Sequence, residues 1–211
     1  GCTGLTAITI PNSVTTIGEG AFSGCTGLTA ITLPDNITTI GDRAFDGCTG
    51  LTAITIPDSV TTIGDMAFSG CTGLTTITIP NSITAIGYRA FDGCTGLTTI
   101  TIPNSVTTIG EGAFYDTLWY HNQPSGPIYI GRVLYDYKGD MFPKTDFVVK
   151  NGTVYICSET FYDCKNLTSI TIPNSVTTIG EGAFYGCTGL TTITIPDSVT
   201  TIGDRAFSGC T

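Results

Sequence analysis

Apolar and polar positions along this chain recur on one fixed period. The first 23 residues read GCTGLTAITIPNSVTTIGEGAFS, and near-copies begin at Gly24, Gly47, Gly70 and Gly93. Two more begin at Asp163 and Gly186, with a stub at Gly209. Self-similarity at this spacing marks a solenoid: one unit is too small to close a core and buries its open faces on its neighbours.

Within a unit, Leu5, Ile8 and Ile10 follow an L-x-x-L-x-L spacing. The alternation from Ala7 to Ile10 predicts a strand with Ile8 and Ile10 inward and Ala7 and Thr9 outward. Pro11 ends it, having no N–H for a ladder. Val14 and Ile17 form a second apolar pair, read as a small strand on the opposite side, and Gly18 to Ser23 reads as a turn or a single helical turn. Successive strands are expected to stack in one parallel sheet. The regular repeats cover residues 1–115 and 163–211. The 47 residues between them (116–162) are one more than two periods and are read as two irregular coils of the same single domain. The chain opens and closes inside a unit, which reads as an excerpt of a longer protein whose truncated ends would self-associate end to end.

These features are similar to the bacterial BspA-type leucine-rich repeats. The resemblance rests on LTAITIPNSVTTIGEGAFSGCTG, on its period, and on the Phe-x-Gly-Cys closure at Phe22-Ser23-Gly24-Cys25. The stretches Trp119 to Pro124 and Tyr129 to Tyr135 resemble a variant repeat of such proteins. The resemblance implies a right-handed leucine-rich-repeat solenoid, mostly β with little regular helix. It also implies a secreted or cell-surface bacterial protein whose array binds host proteins or other cells, without enzymatic activity.

Composition narrows the partners. A net charge of −9 with only 12% charged residues disfavours nucleic acid and anionic membranes, which call for clustered Lys and Arg. No run of apolar residues is long enough to span a bilayer.

Nine cysteines suggest a disulfide framework until their spacing is read. Cys2, Cys25, Cys48, Cys71 and Cys94 lie one period apart, as do Cys164, Cys187 and Cys210, while Thr117 fills the slot between the two series. Cys157 is off this ladder. Equivalent side chains in stacked coils point the same way, whereas a disulfide needs Cβ vectors turned toward each other. The column is therefore expected to hold buried free thiols acting as small hydrophobes. No Cys-x-x-Cys pair or nearby histidine supplies a metal set, and no cofactor is expected.

Catalytic parts are missing. His121 is the only histidine, and no nucleophile stands at a fitting spacing. Glu19, Glu111 and Glu181 recur as one solvent-facing column; Asp35 and Asp58 share a slot with Asn12, Asn81, Asn104 and Asn174, as a solvated turn would. The expected activity is binding, not catalysis.

Two surfaces compete for that role. One is the outward strand face, with Thr9, Thr32, Thr55, Thr78 and Thr101 beside Ala7, Ala30, Ala53, Thr76 and Thr99. The other is the irregular stretch, holding the sole Trp, six of the nine Tyr, and Arg132, Lys138, Lys144 and Lys150. Trp, Tyr and Arg dominate binding hot spots. The expected ligand contacts are Trp119, Tyr120, His121, Arg132, Tyr135 and Tyr137, taking a host or cell-surface protein or glycan. The alternative is a structural spacer or stalk in a larger surface protein, favoured by the sameness of the units.

Overall fold

A computed structural model describes residues 1–139, 141 and 146–210 of the chain. They fall into two compact units, 1–122 and 123–211. Each is a stack of coils joined by parallel β pairing, and the one stretch of α-helix among the described residues is the single turn Leu118–His121.

In the first unit the strands Thr16–Ile17, Thr39–Ile40, Thr62–Ile63, Ala85–Ile86 and Thr108–Ile109 form an uninterrupted five-stranded parallel sheet. Each residue pairs with the one a period later, as in Thr16↔Thr39 and Ile17↔Ile40. The segments with the L-x-x-L-x-L spacing pair less completely. Ala30–Ile31 pairs with Ala53–Ile54, Thr76–Thr78 pairs with Thr99–Thr101, and Thr9 and Thr32 make one bridge. The continuous sheet thus lies on the side where only a small strand was expected. Pro11, Pro34, Pro57, Pro80 and Pro103 explain part of the difference. Each ends its segment without an N–H, whereas the Thr-Ile-Gly segments keep every donor.

A third set of hydrogen bonds binds the turns in the opposite sense. Gly20, Phe22 and Gly24 donate their N–H groups forward to Asp42, Ala44 and Asp46 of the next coil at 2.7–2.9 Å. The strand side donates backward, as from Thr38 N to Thr15 O at 2.8 Å. An interior coil of the first unit is therefore held to both neighbours by its backbone. Forming the turn requires two left-handed residues per coil. Gly20 and Gly112 occupy the first slot, yet Arg43, Met66 and Arg89 fill it with φ of 49–54°.

The core is a set of columns. Phe22, Phe45, Phe68, Phe91 and Phe114 stack with centroids 5.2–5.5 Å apart and planes within 9°. Beside them run Leu28, Leu51, Leu74 and Leu97, all fully buried. The expected thiol column is present. Cys25, Cys48, Cys71 and Cys94 are free and buried, and the last three donate Sγ–H to Phe22, Phe45 and Phe68 carbonyls of the previous coil at 3.0–3.1 Å. Those carbonyls already accept from the Cys25, Cys48 and Cys71 N–H groups, so the thiol adds a second, weak donor as well as bulk.

The second unit begins with an antiparallel hairpin, Gly126–Ile130 against Val133–Lys138, with a bulge between Ile128 and Tyr129. Gly131, at φ 55°, makes the tight connection. The second hairpin strand then leads a parallel series through Tyr155–Ile156, Thr178–Ile179 and Thr201–Ile202. On the other side Asp146–Val148 pairs with Ser169–Thr171, again one period apart. This unit has a Phe column of its own, Phe161, Phe184 and Phe207 at 5.2–5.3 Å.

Candidate functional site

Among the described residues no three His, Cys, Asp or Glu side chains gather as a metal set would, and no helix is long and apolar enough to cross a membrane. Three of the buried thiols are poor nucleophiles. Burial pushes Cys48 and Cys187 up to about 12, and Cys71 is raised by its hydrogen bond with Cys94 and then by burial. A thiol attacks as the thiolate, which these sites suppress.

The outward strand face of the first unit carries a broad depression of about 740 Å³. Thr55, Thr78 and Thr101 line it with Ala53, Thr76, Asp58 and Asn81. Its inward partners Ile54 and Ile77 are buried and so hold the strand face in register.

The six expected contact residues divide between the units. Trp119, Tyr120 and His121 lie on the helical turn of the first unit, positioned by Thr117. This residue fills the cysteine slot, is fully buried, donates Oγ1–H to Phe114 O at 2.8 Å, and accepts from Tyr120 N–H at 3.0 Å. The thiols elsewhere reach the Phe carbonyl of the previous coil, whereas this hydroxyl bonds the Phe of its own coil and caps a helix besides. Trp119 sets its ring edge-on to Phe114 at 5.3 Å and 65°, closing the aromatic column. Tyr120 and His121 face outward. Tyr120 tilts against Tyr115 at 5.4 Å, and exposed His121 holds Nε2 3.6 Å from Asp116 Oδ1.

Arg89, Asp92, Tyr115, Asp116 and Tyr120 surround a cavity of about 350 Å³. The Arg89 guanidinium sits 5.2 Å from the Tyr88 ring centroid and 3.8 Å from the Asp92 carboxylate. Burial raises the Asp92 carboxyl, against the downward pull of Arg89. Two tyrosines, a guanidinium and two carboxylates thus share one corner. Arg89 and Tyr115 were not singled out from sequence, although a signal existed. Tyr115 breaks the column Ser23, Asp46, Ser69, Asp92, and Tyr88 breaks the column Glu19, Asp42, Asp65.

In the second unit Arg132 is exposed at the hairpin tip, where its Nε donates to Gly152 O at 3.2 Å. Tyr135 is only 3% exposed. Tyr137 is half-buried, edge-on to Phe147 at 5.8 Å and near Phe161 at 5.9 Å. Both tyrosines therefore spend their rings on packing. Lys138 donates to Gln123 O at 2.8 Å, and the Lys150 ammonium lies 5.9 Å from the Tyr129 ring. Lys144 lies outside the described residues.

Comparison with known proteins gives one family signal. Residues 1–119 and 140–211 match the BspA type leucine rich repeat region in six copies. Among solved structures, the T. pallidum leucine rich repeat protein is similar at 28% identity and a TM-score of 0.53, over 97% of this chain and 76% of that one. A leucine-rich repeat protein from Bacteroides ovatus is similar at 27% identity and a TM-score of 0.52, over 99% and 71%. One from Eubacterium ventriosum reaches 30% and 0.52, over 94% of this chain and 56% of that one. None of the curated proteins matches the chain.

Proposed function

Because the chain belongs to the BspA-type leucine-rich repeat family, we propose that it is a binding module without catalytic activity, secreted or displayed at a bacterial cell surface. It holds a host or cell-surface macromolecule, and in that sense it is adhesive. The observation that carries this reading is the corner formed by Arg89, Asp92, Tyr115, Asp116 and Tyr120 around their cavity. Aromatic rings and a guanidinium at a partly desolvated depression are the chemistry of interface hot spots, where few residues supply most of the affinity. The threonine face offers area but small side chains, which rarely anchor a partner.

The test is retention of extracellular-matrix proteins by the immobilised intact chain and by an Arg89→Gly/Tyr120→Ser variant. Glycine suits the left-handed backbone at Arg89. The variant should lose a partner that the intact chain retains; equal retention by both would rule the corner out. The columns Thr9, Thr32, Thr55, Thr78 and Thr101 favour a second reading, a spacer, because an unvaried face carries little recognition information. No retention by either form would choose the spacer.

A further inference from the structure

The slot after Phe varies along the repeat. It holds Ser23, Asp46, Ser69, Asp92 and Tyr115 in the first unit and Ser208 in the last coil, and between them it holds Tyr162 and Tyr185 in succession. These two rings lie parallel, with centroids 5.1 Å apart and planes 6° apart, and they are 52% and 37% exposed. Tyr185 covers one face of Tyr162. Gly139 lies close by and adds no side chain of its own.

A depression of about 300 Å³ opens there, lined by Tyr137, Gly139, Tyr162, Asp163, Lys165 and Asn166 among others. That is at the lower end of the roughly 300–1,000 Å³ typical of small-ligand sites. Its polar groups also depart from the repeat, because Lys165-Asn166 replaces the Thr-Gly of Thr188-Gly189. Glycine is enforced at the second of these positions in other coils. At Gly96, for example, a Cβ would stand 2.5 Å from Thr72 O of the coil before. Asn166 carries a Cβ in that slot and is exposed. Its amide has no hydrogen-bond partner among the described residues, while Lys165 Nζ sits 3.0 Å from Asp163 Oδ2.

We propose that this depression is a carbohydrate subsite, taking the apolar face of a neutral hexopyranose on the Tyr162 ring with its hydroxyls on Asp163, Lys165 and Asn166. The paired charges of Asp163 and Lys165 cancel, so the site selects no ionic ligand. The Asp163 carboxylate can accept from one hydroxyl, the Lys165 ammonium beside it can donate to the next, and the Asn166 amide can do both. An aromatic face ringed by such groups matches a molecule with one C–H face and polar edges. The subsite goes beyond the macromolecular contact proposed above and uses none of its residues.

Saturation-transfer NMR of the full chain with methyl β-D-glucopyranoside and methyl β-D-galactopyranoside at millimolar concentration tests it. At least one glycoside should receive saturation on its ring protons. Tyr162→Ser should abolish that transfer, and Asn166→Gly should weaken it several-fold. Both variants restore residues that other coils carry at the same slots (Ser23, Ser69 and Ser208; Gly96 and Gly189), and an unchanged circular-dichroism melt confirms that they fold. The Arg89→Gly/Tyr120→Ser variant should bind the glycoside like the parent, which separates the two sites. No transfer from either sugar, or transfer unaltered in Tyr162→Ser, would overturn the proposal.

Discussion

Replacing Gly96 by alanine adds one methyl group and tests the stacking directly. The backbone at Gly96 is one that alanine adopts without strain, so the cost is spatial. The new Cβ would stand 2.5 Å from Thr72 O and 3.1 Å from Leu74 O, both backbone atoms of the preceding coil. Relieving this requires moving the coils apart locally by about 1 Å, since overpacked groups otherwise force backbone shifts. Beside the clash, Thr98 N–H donates to Thr75 O at 3.1 Å and Gly70 N–H donates to Asp92 O at 2.7 Å. A shift of that size takes such bonds out of bonding range. Two bonds at roughly 1 kcal/mol net each, with some lost packing, give a destabilisation of about 2–3 kcal/mol. For a chain of this size that lowers Tm by roughly 4–12 °C. Trp119 is the sole tryptophan and sits against Phe114 in the first unit, so its fluorescence during urea unfolding reports on the unit carrying the substitution. Asn166→Ala, in the equivalent slot that already carries a side chain, should move stability by no more than about 0.5 kcal/mol. If Gly96→Ala unfolds at the parent's urea midpoint, direct coil-on-coil contact does not explain the recurrent glycine.

Phe68 is fully buried between Phe45 and Phe91 at 5.2 and 5.3 Å. Phe68→Ala should therefore cost about 3–5 kcal/mol in the same fluorescence assay. Cys48 and Cys187 are raised by burial from 9.0 to about 12, so the folded chain keeps protons that the unfolded chain releases. The stability they contribute is whole below pH 9 and is lost as pH climbs from 9 toward 12. Tm should fall across that window, and a Cys48→Ala/Cys187→Ala double variant should show a shallower fall than the parent. Arg43 holds φ at 53° in the slot where Gly20 stands one coil earlier. Arg43→Gly should stabilise by up to about 1 kcal/mol, because relief of left-handed strain exceeds the added chain entropy; a lower urea midpoint would contradict this.

Much of this architecture was legible because the repeat makes chemistry periodic. The spacing of Cys25, Cys48, Cys71 and Cys94 was enough to place them in one column and to argue against disulfides, and Phe22-Ser23-Gly24-Cys25 marked the closing turn. Which apolar segment would carry the continuous sheet was less accessible. Leu5, Ile8 and Ile10 form the stronger strand pattern, but the proline that follows removes a donor, and the shorter Thr16-Ile17 segment pairs along the whole first unit. Local preference also gives no hint that Arg43, Met66 and Arg89 take left-handed backbone. Their conformation is fixed by the next coil, as where Arg43 N–H donates to Asp65 O at 2.8 Å. Of the site, the outward set of Tyr120 and His121 was legible from composition. The burial of Tyr135 was not, because aromatic enrichment serves packing and binding equally.

A solenoid of near-identical coils separates two kinds of information. Columns such as the Phe, Leu and Cys rows must repeat, since each side chain packs on its own copy and a change in one coil disturbs two interfaces. An outward column has no such constraint, so its uniformity or variation reflects what it touches. The threonine columns stay uniform, consistent with a face that needs only solubility and strand preference. The Ser/Asp column does not. It changes to tyrosine at Tyr115, Tyr162 and Tyr185, and at Tyr115 and Tyr162 an aromatic ring borders a depression with charged neighbours. Core packing does not explain these changes, because the Ser and Asp of the other coils leave the same Phe stack intact. The breaks in an otherwise free column are therefore where recognition by this chain should be sought.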